Sequence, residues 1–252
     1  MLTKDQAVCI RVVDYSETSQ VASFFTRQTG KVAVIAKGAK RTPWPFGGPI
    51  EMFSCGAIAF SDSSRDKLAT LVEFEPLAGV VDSSVLTGDI FILNCCLFAC
   101  ELMNILTKDY DPHPGLFDGL LGFLGDISRS KLNAPGRSRG LVPLIAFQLN
   151  LLREIGLCPV FDHCVNCKNS FSGRWPEVYF SGAAGGLICK DCQGPFPDKT
   201  GLTGQAVKCL VDSKSLASAE DRTLRQIEGI LVNYITGTLG RPPKMAKYIL
   251  NS

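Results

Sequence analysis

Two Cys-x-x-Cys pairs, Cys164/Cys167 and Cys189/Cys192, constrain this chain more than any other feature. Each such turn aims two thiolates at one point. A loop of about twenty residues lets the pairs fold together, so the spacing predicts two knuckles on one tetrahedral zinc ion. Four thiolates leave no open coordination position. The expected cofactor is therefore one structural Zn2+, whose binding free energy is also local folding free energy. The segment is rich in Gly, Ser and turn formers, and its large apolar residues, Phe171, Trp175, Tyr179 and Phe180, are too few to hold a loop of this length without metal. Two disulfides, or four unconnected buried thiols, are the alternatives left open. His163 and Cys158 are spare ligands nearby, neither on a Cys-x-x-Cys turn.

The 252 residues, 46% apolar and 20% charged, suit a globular protein with a sizeable core, built as one large domain or two to three small ones. A net charge of +2 means that any nucleic-acid affinity has to come from local clusters of Lys and Arg. Eleven cysteines do not imply a secreted disulfide scaffold, because MLTKDQAVCIRVVDY carries no apolar h-region or cleavage site. A reducing cytoplasm is expected, with no membrane. Cys95, Cys96 and Cys100 fall in the apolar run DIFILNCCLFACELMNIL, where thiols act as small buried hydrophobes. That run approaches the length of a membrane span, yet Asp89, Asn94, Glu101 and Asn104 bracket and interrupt it, which predicts a buried helix instead.

Residues 1–80 read as five short strands, in AVCIRVVDY, VASFFTRQTG, KVAVIAKGAKR, MFSCGAIAF and LATLVEFEPL, punctuated by Gly, Pro and Ser. The count suits a small closed barrel, either an OB-fold or an SH3-like form. Within it Arg27, Lys31, Lys37, Lys40 and Arg41 surround two hairpin regions, and Trp44 and Phe46 follow directly. Cations for phosphates beside rings for bases are what a single strand of nucleic acid requires. The alternative is a solvated loop with Trp44 and Phe46 folded into the core. Pro43-Trp44-Pro45 predicts a stiff, extended segment.

From about 83 the period lengthens to that of helices: VLTGDIFILNCCLFACELMNILTKD, HPGLFDGLLGFLGDISR and LVPLIAFQLNLLREIGL, the last stopped by Gly156 and Pro159. QGPFPDKTGLTG reads as a connector, GQAVKCLVDS and TLRQIEGILVNYITGTLG as two more helices. The expected fold is α+β: a five-stranded barrel over 1–80, a helical domain over 83–157 and 197–252, and a four-cysteine zinc module over 158–196. No Gly-x-x-x-x-Gly-Lys-Ser/Thr loop or Gly-x-Ser-x-Gly elbow is present. The two histidines, His113 and His163, read as loop residues, and Asp109, Asp111 and Asp126 flank helix ends as caps. The chain is therefore expected not to be an enzyme.

The order of parts resembles the RecO family of bacterial DNA repair proteins, which are recombination mediators. DYSETSQVASFFTRQTGKVAVIAKGAKR is similar to its N-terminal hairpin segment, through Tyr15, Ser16, Glu17, Thr26, Gly30, Lys37, Gly38 and Arg41. FQLNLLREIGLCPVFDHCVNC with GGLICKDC is similar to its helix and four-cysteine finger, and TGTLGRPPKMAKYIL more loosely to its basic ending, with Arg241 and Lys244. The resemblance implies an OB-fold, binding of single- and double-stranded DNA, strand annealing, and a nucleoid-associated role in repair of DNA damage. It also implies loading of recombinase onto DNA coated with single-strand-binding protein, in concert with RecR. Carried over, Lys37–Arg41 is a DNA-contacting turn and Cys164, Cys167, Cys189 and Cys192 are the zinc ligands. Lys168 stands where the family often has Gly, TPWPFGGP where it often has a Ser-containing run, and some members lack the cysteines. The contrasting expectation is a protein-interaction adaptor whose barrel and helical grooves bind partners without touching DNA.

Overall fold

The first strand, β1 (Leu2–Asp14), is long enough to pair on both edges, and the N-terminal barrel is built around it. Its first half, Leu2 to Val8, runs antiparallel to β4 (Cys55–Ser61), and Ala7 to Asp14 runs antiparallel to β2 (Gln20–Thr26). A register shift between Cys9 and Arg11 turns the strand from one partner to the other. β2 pairs with β3 (Gly30–Ala36), β4 with β5 (Ala69–Pro76), and a short parallel contact of Val34 and Ile35 with Ala69 and Thr70 closes the ring in the order β1-β2-β3-β5-β4. This is the closed five-stranded barrel that the residue pattern predicts. The computed structural model describes residues 2–43, 45–61, 68–77, 79, 81, 88–129, 138–173 and 175–251.

Alternation along β3 sends Val32, Val34 and Ala36 inward, where they meet Ala7, Cys9, Ala22, Phe24, Ile58, Phe60 and Leu71. Phe24 and Phe74 pack with ring centroids 5.6 Å apart. One end of the barrel is filled from the β3–β4 connection by Ala39, Phe46 and Ile50, and Gln20 pins that connection by accepting from the Ile50 amide at 2.8 Å. Phe46 is thus a core residue, as the bland alternative holds. Trp44 lies outside the described residues.

The chain divides into two compact units, Met1–Lys131 and Leu132–Ser252. In the first, α1 (Ile90–Leu106) and α2 (Pro114–Arg129) accompany the barrel. Asp89 caps α1 by accepting from the amides of Phe91 and Ile92 at 2.9 and 3.3 Å. Ile92, Cys95, Cys96, Phe98, Ala99, Cys100, Leu102 and Met103 are all buried, and α1 packs on β1. Burial pushes the Cys9 and Cys96 thiols up to about 12, so they serve as small hydrophobes. Among the described residues no helix is long and apolar enough to cross a membrane.

Gly30 shows how tightly the β2–β3 turn seats against the segment before α2. Its φ is +81°, and a Cβ there would fall 2.3 Å from the Asp111 carbonyl oxygen, so only glycine fits.

The second unit holds α3 (Ser138–Glu154), a four-stranded sheet, α4 (Gly204–Val211), α5 (Asp221–Leu239) and a short closing helix, α6 (Ala246–Leu250). The sheet runs β6 (Val160–Cys164), β8 (Gly186–Cys189), β7 (Val178–Ser181), β9 (Thr200–Leu202). Two expectations change here. The stretch read as a connector contains β9, which pairs antiparallel with β7, and His163 lies in β6 and not in a loop.

Candidate metal centre and candidate nucleic-acid interface

Cys164 ends β6 and Cys189 ends β8, two strands that pair in parallel, so the sheet itself brings the two knuckles to one edge. Gly186 permits this approach, since a Cβ there would lie 2.6 Å from both the Val160 carbonyl oxygen and a Val165 methyl. The first knuckle is closed by Lys168 N–H donating to Cys164 O and Cys164 N–H donating to Asn169 O, both at 2.9 Å. Lys168 sits at φ +62°, a left-handed conformation that costs a residue with a Cβ about 1 kcal/mol, which is the physical reason glycine suits that position. The second knuckle is a 3-10 turn over Lys190–Cys192.

The four sulfurs lie within 4.8 Å of one another, and Cys167 Sγ is 3.8 Å from Cys189 Sγ. Metal–sulfur bonds of about 2.3 Å at tetrahedral angles separate neighbouring sulfurs by about 3.8 Å, so the donor set fits one four-coordinate ion. All four cysteines are free thiols, as are the other seven. Burial raises the Cys164 thiol, but the amides of Cys167, Cys189 and Asn166 outweigh it and hold it down at about 6. Burial pushes Cys189 up to about 12. Cys164 is thus prepared as a thiolate, whereas Cys189 calls for a cation's charge. Cys158 and His163 stay outside the cluster, and His163 Nδ1 lies 2.7 Å from Asp162. Near the site Phe161, Val178, Phe180, Leu187 and Ile188 are all buried, more apolar burial than the sequence segment alone promises. Phe161 stacks on Phe180, which meets the Tyr234 ring of α5 edge-on.

On the barrel, the predicted cations separate into two groups. Arg27 pairs with Asp118 of α2 at 2.9 Å and lies over the Phe117 ring. Lys31, its side chain 13% exposed, donates to the carbonyls of Asn104 and Thr107 at 2.8 Å each and pairs with Asp109 at 3.3 Å. It caps the C-terminus of α1, where carbonyls lack helical partners and the helix dipole favours a cation. Lys31→Met is expected to lower the stability of the N-terminal unit by about 1–3 kcal/mol, the usual cost of stranding buried polar groups, with a measurable fall in the urea midpoint.

Lys37 and Arg41 are exposed and make no ion pair among the described residues, while Ala39 between them is buried in the barrel. That inward anchor, with Arg41 N–H donating to Gly38 O at 2.9 Å, turns the flanking cations outward. Lys40 pairs with Asp14 at 2.5 Å, and its ammonium holds the Asp14 carboxyl below its ordinary range. The neighbouring β1–β2 turn is tied on by Lys40 N–H donating to Thr18 O at 3.1 Å. It carries Tyr15, 68% exposed. Tyr15 is an exposed ring beside the cationic turn that composition does not single out. Its signal was its place in an Asp-Tyr-Ser-Glu turn, where an aromatic has no core to enter.

The sequence profile described as "Recombination protein O N terminal" matches residues 1–80, and "Recombination protein O C terminal" matches residues 87–247. A protein named DNA repair protein RecO from Anaeromyxobacter dehalogenans (strain 2CP-C) is 31% identical over 241 residues, covering 93% of this chain and 90% of its own. Proteins of the same name from Rhodopirellula baltica and Bacillus pumilus are 29% and 25% identical, over 84% and 99% of this chain and 74% and 94% of theirs.

Proposed function

Because this chain belongs to the RecO family, whose profiles span both of its parts, we propose that its place in DNA repair and recombination is that of a mediator working on single strands. The observation that carries this reading is the outward cationic turn Lys37–Arg41 beside exposed Tyr15 on a closed five-stranded barrel. Cations neutralise phosphates without reading sequence, and a ring stacks on any base, so the surface suits single-stranded DNA of every sequence, with duplex phosphates as a second ligand. In this reading the protein anneals complementary strands and, with RecR, helps load recombinase onto DNA coated with single-strand-binding protein. It acts by binding and not by catalysis, in the bacterial cytoplasm at the nucleoid.

The cysteine set supports zinc as the ion, since four thiolates select a soft tetrahedral metal. Cys164, Cys167, Cys189 and Cys192 would hold it, and it would supply charge to keep four thiolates together. A second reading, docking of partner proteins, is favoured by Leu2, Leu68 and Val72, which are exposed on the outside of β1, at the start of β5 and within it. The test is annealing of complementary strands, naked and coated with single-strand-binding protein. The mediator reading expects acceleration on both substrates; acceleration on neither, with the coating protein still bound, leaves the docking reading alone.

A further inference from the structure

Gln148 of α3 and Glu228 of α5 face each other inside the second unit, 0% and 1% exposed. Gln148 Nε2 donates to both Glu228 carboxyl oxygens, at 2.9 and 2.8 Å. Gln148 Oε1 has no partner, and among the described residues it is the one buried side-chain polar atom left so. Two acceptors therefore crowd one amide nitrogen while a buried carbonyl goes unsatisfied, an arrangement that costs free energy on both counts. One proton removes both faults. Carried on a Glu228 oxygen, it lets that hydroxyl donate to Gln148 Oε1 after a small turn of the amide, while the other carboxyl oxygen keeps Nε2.

Among the described residues, no ion pair reaches Glu228. Arg225 lines a cavity of about 50 Å³ beside it, together with Leu141, Ile249 and Leu250, but the Arg225 guanidinium is taken by Asp221 at 3.2 Å. On α3 the charged residues are Arg139, Arg153 and Glu154, at the ends of the helix away from position 148. On α6 Lys247 lies over the Tyr248 ring, and on the side of α4 and the turn after it Lys208, Asp212 and Lys214 are exposed. Burial accordingly pushes the Glu228 carboxyl up to about 7, the Gln148 hydrogen bond opposing it only in part.

We propose that Glu228 is held as the neutral acid in the folded protein and that its acid–amide ring with Gln148 is a proton-operated clasp between α3 and α5, which loosens the second unit when Glu228 ionises. The sign follows from linkage. The folded state holds this proton more tightly than the unfolded chain, so the clasp contributes fully below about pH 4.5 and its contribution is lost as pH rises through about 7.

The experiment is a carbon-13 titration of the glutamate side-chain carboxyls in the full chain, with the Glu228 signal assigned by its loss in Glu228→Gln. An inflection near pH 7 is expected, and one at or below about pH 4.5 overturns the proposal. Thermal unfolding gives the second reading: wild type should lose Tm relative to Glu228→Gln between about pH 5 and 8, whereas parallel profiles contradict a clasp. Should Glu228→Gln fail to fold, Gln148→Leu assigns the signal by displacing its inflection, and no carboxyl signal responding to that change also overturns the proposal.

Discussion

Cys164→Ser is expected to strip the protein of its metal and to unfold both knuckles, leaving the barrel folded. Wild type should carry one metal ion per chain through a chelator wash by elemental analysis, and the variant close to none. Cys164 has the most to lose because it is the sulfur that three backbone amides already prepare as a thiolate. A serine hydroxyl in its place is a poor ligand at neutral pH, and three remaining thiols do not close a tetrahedron. Structural zinc in small fingers is worth about 10–16 kcal/mol, far beyond what two short turns contribute through hydrogen bonds at about 1 kcal/mol each. The loss should nevertheless be local. Phe161, Val178, Phe180, Leu187 and Ile188 stay buried, and at about 1.5–3 kcal/mol for each buried side chain they hold the β7–β8 hairpin. Amide hydrogen exchange is thus expected to rise sharply at 164–170 and 189–196 and modestly at 178–188. Full protection of both knuckles in metal-free protein would show that the thiols pack as ordinary core.

Replacing Lys37, Lys40 and Arg41 together by alanine is expected to lower affinity for single-stranded DNA about a hundredfold at 0.1 M salt. The figure follows from three phosphate contacts, each releasing about 0.7 of a counterion from a single strand, or roughly fivefold per contact at that concentration. The loss should be alike for every sequence, because phosphate contacts carry no base information. Within the set Lys40 should contribute least, since Asp14 already neutralises it. Folding should be unaffected, as surface changes of this kind stay within about 0.5 kcal/mol. Lys31 and Arg27 are left out of this set, because they already pair with groups of α1 and α2 or the segment between them.

That sorting of cations was beyond the sequence, and the reason is distance along the chain. Lys31 finds its carbonyls 73 and 76 residues away, and Arg27 its carboxylate 91 away, so nothing local marks either as structural. Lys37 and Arg41, by contrast, lie in one Gly-containing turn, where the family resemblance implies a DNA contact. Likewise the strands of the barrel announced themselves by alternation in β3, whereas Ala7 to Ile10 in β1 are buried without a break, because Ala7 and Cys9 join the barrel core while α1 packs on the same strand. The inward turn of Phe46 depends on an open barrel end that only the closed ring creates. β9 hid in a Gly- and Pro-rich run because its three residues are ordered by β7 and not by their own propensity. The metal site was the most legible part, since ligand chemistry fixes both residue type and spacing.

The central claim, that the barrel grips DNA by its phosphates through Lys37, Lys40 and Arg41, is tested most directly by the salt dependence of single-strand binding, wild type against the triple variant. Plots of log affinity against log salt should be linear, with the variant's slope shallower by about 2. Equal slopes in the two proteins would contradict the account and move the DNA to another surface.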